Sequence, residues 1–124
     1  MEQIGEALEL LARVEALLRS SRTLRGTWEA DGLAVDFRSA TVTRDGVPVD
    51  LSALELRLLR YFVEHPGIVI GRQELLDKVW GYAAKAVTRT VDVHVAQLRQ
   101  KIERTPSRPE LLVTVHGLGY KFVG

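Results

Sequence analysis

Between Thr88 and Arg104 the chain carries side chains that can hydrogen-bond, carry charge and make apolar contacts on one face of a helix. At 100° per residue, one side of this helix is apolar, with Val91, Val95, Leu98 and Ile102. The opposite side is basic and amide-bearing, with Arg89, Val93, Ala96, Gln97, Gln100 and Arg104. Arginine and glutamine pair with base edges and valine contacts a thymine methyl group, so this face has chemistry suited to a DNA major groove.

The flanks of this face are also polar, with Thr90, His94 and Lys101 on one side and Asp92 and Arg99 on the other. We predict a structural role for Asp92, as an acceptor near the helix start, and either that role or phosphate contact for Arg99. Basic surface helices are common, and Val93 could pack on the loop before the helix instead. The residues alone therefore allow two interpretations of this face, a DNA contact surface or an ordinary basic surface helix.

The three histidines do not form a catalytic or metal-binding pattern. His65, His94 and His116 are not spaced as a metal triad, the chain has no cysteine, and no nucleophile with a paired base can be identified. Gly117-Leu118-Gly119 falls inside a predicted hairpin, which is the wrong context for a nucleotide-binding loop. We expect no enzyme activity, no metal and no cofactor.

Length and composition favour one domain in a reducing compartment. The chain has 124 residues, enough for a single core, and the absence of cysteine excludes disulfides and thiolate zinc sites. The acidic N-terminus does not resemble a signal peptide, and no apolar run approaches the roughly 20 residues that span a bilayer. We expect a cytoplasmic protein without membrane contact.

Charge is divided along the chain. The formal net charge is +1, but residues 1–65 hold 8 basic and 11 acidic residues, whereas residues 66–124 hold 9 and 5. A basic half joined to an acidic half indicates that one face of the protein binds a polyanion and that the acidic face does not.

The elements that must position these residues follow from periodicity. Apolar residues at helical spacing from Ile4 to Leu18 predict an amphipathic helix within residues 1–19, and residues 20–27 read as a linker. Residues 28–124 then form the main domain. Its first part alternates as short strands, with Asp45-Gly46 as a hairpin turn, and predicts a small antiparallel sheet.

Three helices and a hairpin complete the predicted domain. Ser52 and Glu55 form a capping box that starts the first helix, which ends at His65-Pro66-Gly67. A brief strand at residues 68–70 precedes a second helix from Arg72 to Trp80, ended by Gly81. The third helix runs from Thr88 to Arg104, and residues 111–122 form a hairpin.

Five blocks of this sequence resemble the winged-helix effector domain of OmpR/PhoB-type response regulators, over residues 28–123. They are Leu51 to Leu59, Gly71 to Leu76, Val79 to Gly81, Arg89 to Val95 with Leu98 to Lys101, and Thr114 to Phe122. The resemblance implies an α+β winged helix-turn-helix with an N-terminal antiparallel four-stranded sheet, a three-helix core and a C-terminal β-hairpin wing. It also implies sequence-specific binding to double-stranded DNA and transcriptional regulation in a two-component system.

The resemblance also implies partners. Members of this family bind direct repeats as head-to-tail dimers, with the third helix in the major groove and the wing, here about Leu112 to Phe122, near the minor groove. RNA polymerase would contact the loop after the second helix, represented here by Gly81, Tyr82 and Lys85. The N-terminal helix resembles the last helix of a receiver domain. The chain is therefore either an effector fragment, whose full-length protein has a receiver domain and a cognate histidine kinase, or a natural regulator without a receiver, and we favour the fragment. The helix itself could support a homodimer.

Residue by residue, the resemblance assigns DNA contacts to positions that match the family. These positions are Trp80, Arg89, Thr90, Val93, His94 and Arg99, and the predicted contacts also include Gln97, Lys101, His116 and Tyr120. The chain departs from close relatives at Ala96, Gln97 and His116, where basic residues are frequent, which implies weaker nonspecific binding. The alternative is a protein-interaction module that docks through its acidic sheet and N-terminal helix.

Overall fold

The structure is a computed structural model that describes residues 26–81 and 88–124. The predicted N-terminal helix within residues 1–19 and all but the last two residues of the linker lie outside these ranges. Residues 82–87, between the second and third helices, also lie outside them.

The first layer is a four-stranded antiparallel sheet in the order β1-β2-β3-β4. Its strands are β1 (Thr27–Ala30), β2 (Leu33–Asp36), β3 (Thr41–Arg44) and β4 (Val47–Pro48). The predicted hairpin turn is confirmed, since Asp45 and Gly46 have φ values of 50° and 82°, the left-handed pair that a tight two-residue turn requires. Asp31 and Gly32 form the same kind of turn between β1 and β2, a signal that the sequence analysis did not use.

Helix α1 (Ala53–Glu64) starts where the capping box predicts. The Ser52 hydroxyl accepts the Glu55 backbone N–H at 3.1 Å, and Glu55 Oε1 accepts the Ser52 N–H at 2.9 Å. Both bonds satisfy backbone groups that a bare helix end leaves without partners.

Helix α2 has the predicted extent but not a uniform geometry. Residues Arg72–Leu75 are α-helical, and Leu76–Trp80 continue as a π-helical turn. The turn closes with the Gly81 N–H donating to the Leu76 carbonyl at 2.9 Å, a bond that spans five residues. Gly81 has φ 96°, which suits glycine at the helix end.

Helix α3 (Thr88–Ile102) and the wing complete the domain. The helix ends two residues before the predicted Arg104. The wing strands β6 (Leu112–Val115) and β7 (Gly119–Phe122) pair antiparallel, and β5 (Val69–Ile70) joins them in the order β5-β7-β6. The predicted brief strand at residues 68–70 is therefore an edge strand of the wing sheet.

One core joins both sheets and all three helices. The α3 residues predicted to face inward, Val91, Val95, Leu98 and Ile102, are fully buried with side chains of β2, α1 and β7. The ring centroids of Trp28 and Phe122 lie 5.2 Å apart, edge to face, and connect β1 to β7. The predicted winged-helix architecture is thus confirmed, and within residues 26–81 and 88–124 no helix is long and apolar enough to cross a membrane.

Candidate nucleic-acid interface

The outward face of α3 is exposed as predicted. Arg89, Val93 and Gln97 all face solvent, and Val93 keeps 48% of its surface exposed. The exposed half of Val93 is free for an apolar contact, and it lies between the Arg89 guanidinium and the Gln97 amide on this face. This combination matches the groups that read base edges in a major groove.

The cations of α3 and of the residues that follow it are not equally free. Arg104 Nη1 lies 2.9 Å from Asp45 Oδ2, and Arg99 Nε donates to the Leu112 carbonyl at 2.9 Å. Lys101 Nζ lies 2.6 Å from Glu55 Oε1. Among the residues that the structure describes, Arg89 is the only cation of α3 whose side chain has no partner. The free positive charge is therefore concentrated at the N-terminal end of the helix.

Lys101, predicted as a DNA contact, forms an ion pair with a carboxylate of α1. Its partner Glu55 is 2% exposed, and no described residue bonds Glu55 Oε2. Burial alone would raise the pKa of Glu55, but the hydrogen bonds from Lys101 and Ser52 outweigh it and lower that pKa. Lys101 thus neutralises a buried carboxylate of α1, 46 residues away in sequence, which the helical period could not indicate.

Five side chains tie the wing to the helix-turn-helix. Asp92 accepts a hydrogen bond from Arg72 Nε at 2.6 Å and another from the Tyr120 hydroxyl. The guanidinium carbons of Arg72 and Arg99 lie 5.4 and 5.3 Å from the Tyr120 ring centroid, within cation–π range. Arg99 Nη2 also donates to the Thr114 hydroxyl at 2.8 Å. This cluster fixes the angle between α3 and the wing.

The cluster holds two of the predicted DNA contacts, Tyr120 and Arg99, in bonds within the protein. Tyr120 is only 4% exposed and its hydroxyl is bound to Asp92, so the structure does not bring it to the solvent face. Arg99 is partly buried against β6, where it positions the wing strand. Asp92 has the structural role predicted for it, but its partners are Arg72 and Tyr120 rather than groups near the helix start.

Replacement of Asp92 by asparagine is expected to lower the free energy of unfolding at pH 7 by about 1 kcal/mol, a value reduced for the partial exposure of the cluster. Burial raises the pKa of Asp92, but the bonds from Tyr120 and Arg72 dominate and lower it. Because the folded pKa is depressed, this stabilisation is present above the ordinary pKa and is lost as pH falls through the folded pKa. The difference between wild type and Asp92→Asn should therefore shrink below about pH 4 in urea titrations.

The control for this prediction is Asp50→Asn, since Asp50 is exposed and makes no side-chain bond in the described part of the chain. Its unfolding curve should follow wild type at every pH. A constant offset of Asp92→Asn down to pH 2 would show that the charge of Asp92 does not stabilise the cluster.

Trp80 and His94 meet at the end of α2. Their ring centroids are 5.4 Å apart and the rings are nearly perpendicular. His94 Nδ1 lies 2.8 Å from the Thr90 carbonyl, which can only accept, so Nδ1 carries the proton. The helix backbone thereby fixes the tautomer and leaves Nε2 as the free ring nitrogen.

The wing turn exposes two side chains. His116 and Leu118 both face solvent, and Leu118 is 64% exposed. At Gly119 (φ 143°) a Cβ would lie 2.1 Å from the Ile70 carbonyl oxygen, so only glycine lets β7 approach β5. The sequence analysis missed Leu118 as a surface residue, because a leucine beside glycines gives no signal of its exposure.

The last two expectations concern the predicted polymerase-contact loop and the absence of a metal site. Gly81, the first residue of the predicted polymerase loop, is described, whereas Tyr82 and Lys85 lie outside. Within the described ranges no three histidine, aspartate or glutamate side chains are grouped so that they could hold a metal ion.

Comparison with known sequences gives a consistent group of relatives. The family model described as "Transcriptional regulatory protein, C terminal" matches residues 46–122. Transcriptional regulatory protein YvrH of Bacillus subtilis is 41% identical over 121 residues, which are 94% of this chain and 51% of YvrH. Sensory transduction protein RegX3 of Mycolicibacterium smegmatis is 41% identical over 124 residues, 95% of this chain and 54% of RegX3. The chain spans about half the length of the curated relatives it matches.

Solved structures similar to this chain belong to the same group of regulators. The response regulator DrrB of Thermotoga maritima, described as an OmpR/PhoB homolog, superposes with a TM-score of 0.75 at 31% identity, over 88% of this chain and 51% of DrrB. The DNA-binding domain of Klebsiella pneumoniae RstA, solved in complex with the RstA box, gives 0.70 at 29% identity, over 78% of this chain and 96% of that domain.

Proposed function

This chain belongs to the family of C-terminal domains of transcriptional regulatory proteins, and from that premise we propose that it binds duplex DNA through the outward face of α3 and the wing. DNA binding and transcription regulation are the activity of this domain in response regulators of two-component systems. The expectation that the chain is not an enzyme agrees with this membership. The single observation that carries the finer proposal is the exposed row Arg89, Val93 and Gln97 on α3.

Each member of this row has a defined role in the proposal. Arg89 contacts guanine or phosphate, Gln97 pairs with adenine N6 and N7, and Val93 contacts a thymine methyl group. Their spacing of four residues puts them on successive turns of one helical face, about 6 Å apart along the helix axis. Such a row spans consecutive base pairs, which lie about 3.4 Å apart along the DNA axis.

The remaining contacts surround this row. Thr90, together with the Nε2 atom of His94, contacts the phosphate backbone, and Trp80 supports His94 from the end of α2. His116 at the exposed wing turn contacts the minor groove. Arg99 acts chiefly by positioning β6, and Lys101 and Tyr120 are no longer part of the proposed interface.

The wider context rests on the relatives. DrrB is a response regulator and RegX3 is named a sensory transduction protein, and this chain covers about half of each. We therefore propose that residues 1–19 end a receiver domain, that residues 20–27 are the linker, and that a histidine kinase controls the full-length protein. The same proposal includes three further points: the protein binds direct repeats as a dimer, RNA polymerase contacts residues 81–87, and the protein acts in the cytoplasm.

Selection of bound duplexes from a random pool tests the function. We expect enrichment of one short motif, recovered as a direct repeat. Arg89 is the one α3 cation without a partner among the described residues, and Arg99 is held against β6. The logarithm of the affinity of one domain for a half-site should therefore fall with the logarithm of salt concentration with a shallow slope, of about −1 to −2. Failure to enrich any motif would contradict recognition by this row and favour the protein-interaction alternative. A slope of −5 or steeper would also contradict it and would indicate nonspecific charge attraction.

A further inference from the structure

A groove of about 370 Å³ lies between α1 and the π-helical turn of α2. We call it the basic groove; its lining residues are Arg57, Arg60, Tyr61, Glu64, Lys78 and Val79. None of these residues belongs to α3 or to the wing, so the basic groove shares no side chain with the proposed DNA interface. The π-helical geometry of residues Leu76–Trp80 sets where Lys78 and Val79 stand along this wall, and such turns occur frequently at functional sites.

The basic groove carries two uncompensated positive charges. Arg60 Nε lies 2.8 Å from Glu64 Oε1, so these two side chains neutralise each other along α1. Arg57 and Lys78 are exposed, and neither side chain bonds any residue within 26–81 or 88–124. One cation stands on each wall of the groove, one on α1 and the other on α2.

Between the two cations the wall is apolar and fixed. Val79 is buried, and the Tyr61 ring is held by its hydroxyl, which donates to Glu74 Oε2 at 2.6 Å. The His65 ring lies against the Tyr61 ring with centroids 4.3 Å apart. A bound segment would therefore meet a preformed surface and would not have to order it.

We propose that the basic groove docks an acidic helical segment of a partner protein. Carboxylates on successive turns of that segment pair with Arg57 and Lys78, and an aliphatic side chain between them packs on Tyr61 and Val79. The volume accommodates a few side chains. A nucleic acid fits less well, because a phosphate backbone has no aliphatic group to pack on Tyr61 and Val79 between the two cations.

Fluorescence anisotropy tests the proposal with a labelled helical peptide built from Glu, Leu and Ala, with glutamates on successive turns of one face. The 124-residue chain is compared with Arg57→Glu/Lys78→Glu. A matched control, Arg38→Glu/Arg108→Glu, changes the net charge equally at exposed cations outside the groove. We expect saturable binding by wild type, a loss of at least about tenfold in the groove variant and a change below about threefold in the control.

Duplex DNA binding by the same proteins separates this inference from the proposed function. The groove variant should keep its wild-type melting temperature and bind a selected duplex within about threefold of wild type. Three outcomes would overturn docking in the groove: no saturable peptide binding below about 1 mM, equal losses in the two double variants, or a duplex affinity that falls as far as the peptide affinity.

Discussion

Arg89→Ala/Gln97→Ala is expected to lower the preference for a selected duplex over scrambled DNA by at least about 30-fold, while the fold remains intact. A well-formed bidentate contact to a base discriminates by about 1–3 kcal/mol. With Arg89 on guanine and Gln97 on adenine, the variant removes two such contacts, so the loss is at least about 2 kcal/mol. Both side chains are exposed and have no partner in the described part of the chain, so their removal leaves no buried group unsatisfied. Competition binding at one salt concentration measures the preference, and thermal unfolding checks the fold.

The matched control is Arg38→Ala/Gln73→Ala, which removes the same two residue types from exposed positions outside α3 and the wing. It should keep the wild-type preference. If the α3 variant retains full specificity, another element reads the bases, and the proposed role of Arg89 and Gln97 is wrong.

Lys101→Ala is expected to destabilise the domain by about 2 kcal/mol without changing the DNA affinity of the folded protein. Removing one partner of a buried ion pair costs about 3–5 kcal/mol, because the other charge remains buried, and the partial exposure of Lys101 reduces that figure. In the variant, burial raises the pKa of Glu55 with no opposing cation. The penalty is then present above that raised pKa and is relieved as pH falls and Glu55 becomes neutral.

Lys101→Met/Glu55→Gln tests this explanation. The double variant removes both charges and keeps an amide oxygen that can accept the Ser52 N–H in the capping box, so most of the stability at pH 7 should return. Urea unfolding between pH 4 and 8 measures both variants. A Lys101→Ala protein with wild-type stability and tenfold weaker DNA binding would restore Lys101 to the interface.

The parts of the fold set by neighbouring residues could be predicted from the sequence. The capping box of Ser52 and Glu55 and the Asp45-Gly46 turn depend on residues at most three positions apart. The buried stripe of α3 follows from helical periodicity alone. Periodicity also assigned the correct outward face, because it requires only the position of each residue around the helix axis.

The partners of charged residues could not be predicted, because they come from distant parts of the chain. The flank position of Lys101 suggested solvent or DNA, but Glu55 reaches it across the α1–α3 contact. Glu103 is a similar case, since this buried carboxylate accepts backbone N–H groups of Glu110, Leu111 and Leu112 and holds the start of β6. Neither pairing follows a period, so only the folded arrangement reveals which cations of α3 remain free for DNA.

The most direct test of the proposed interface is a comparison of NMR spectra of the chain, free and bound to a selected duplex. The account predicts that the largest chemical-shift changes fall on the Arg89, Val93 and Gln97 signals, with smaller changes at His116. It also predicts no significant change at Arg57 or Lys78, which line the basic groove. Largest changes on β1 to β4, with α3 unaffected, would contradict recognition by the outward face of α3.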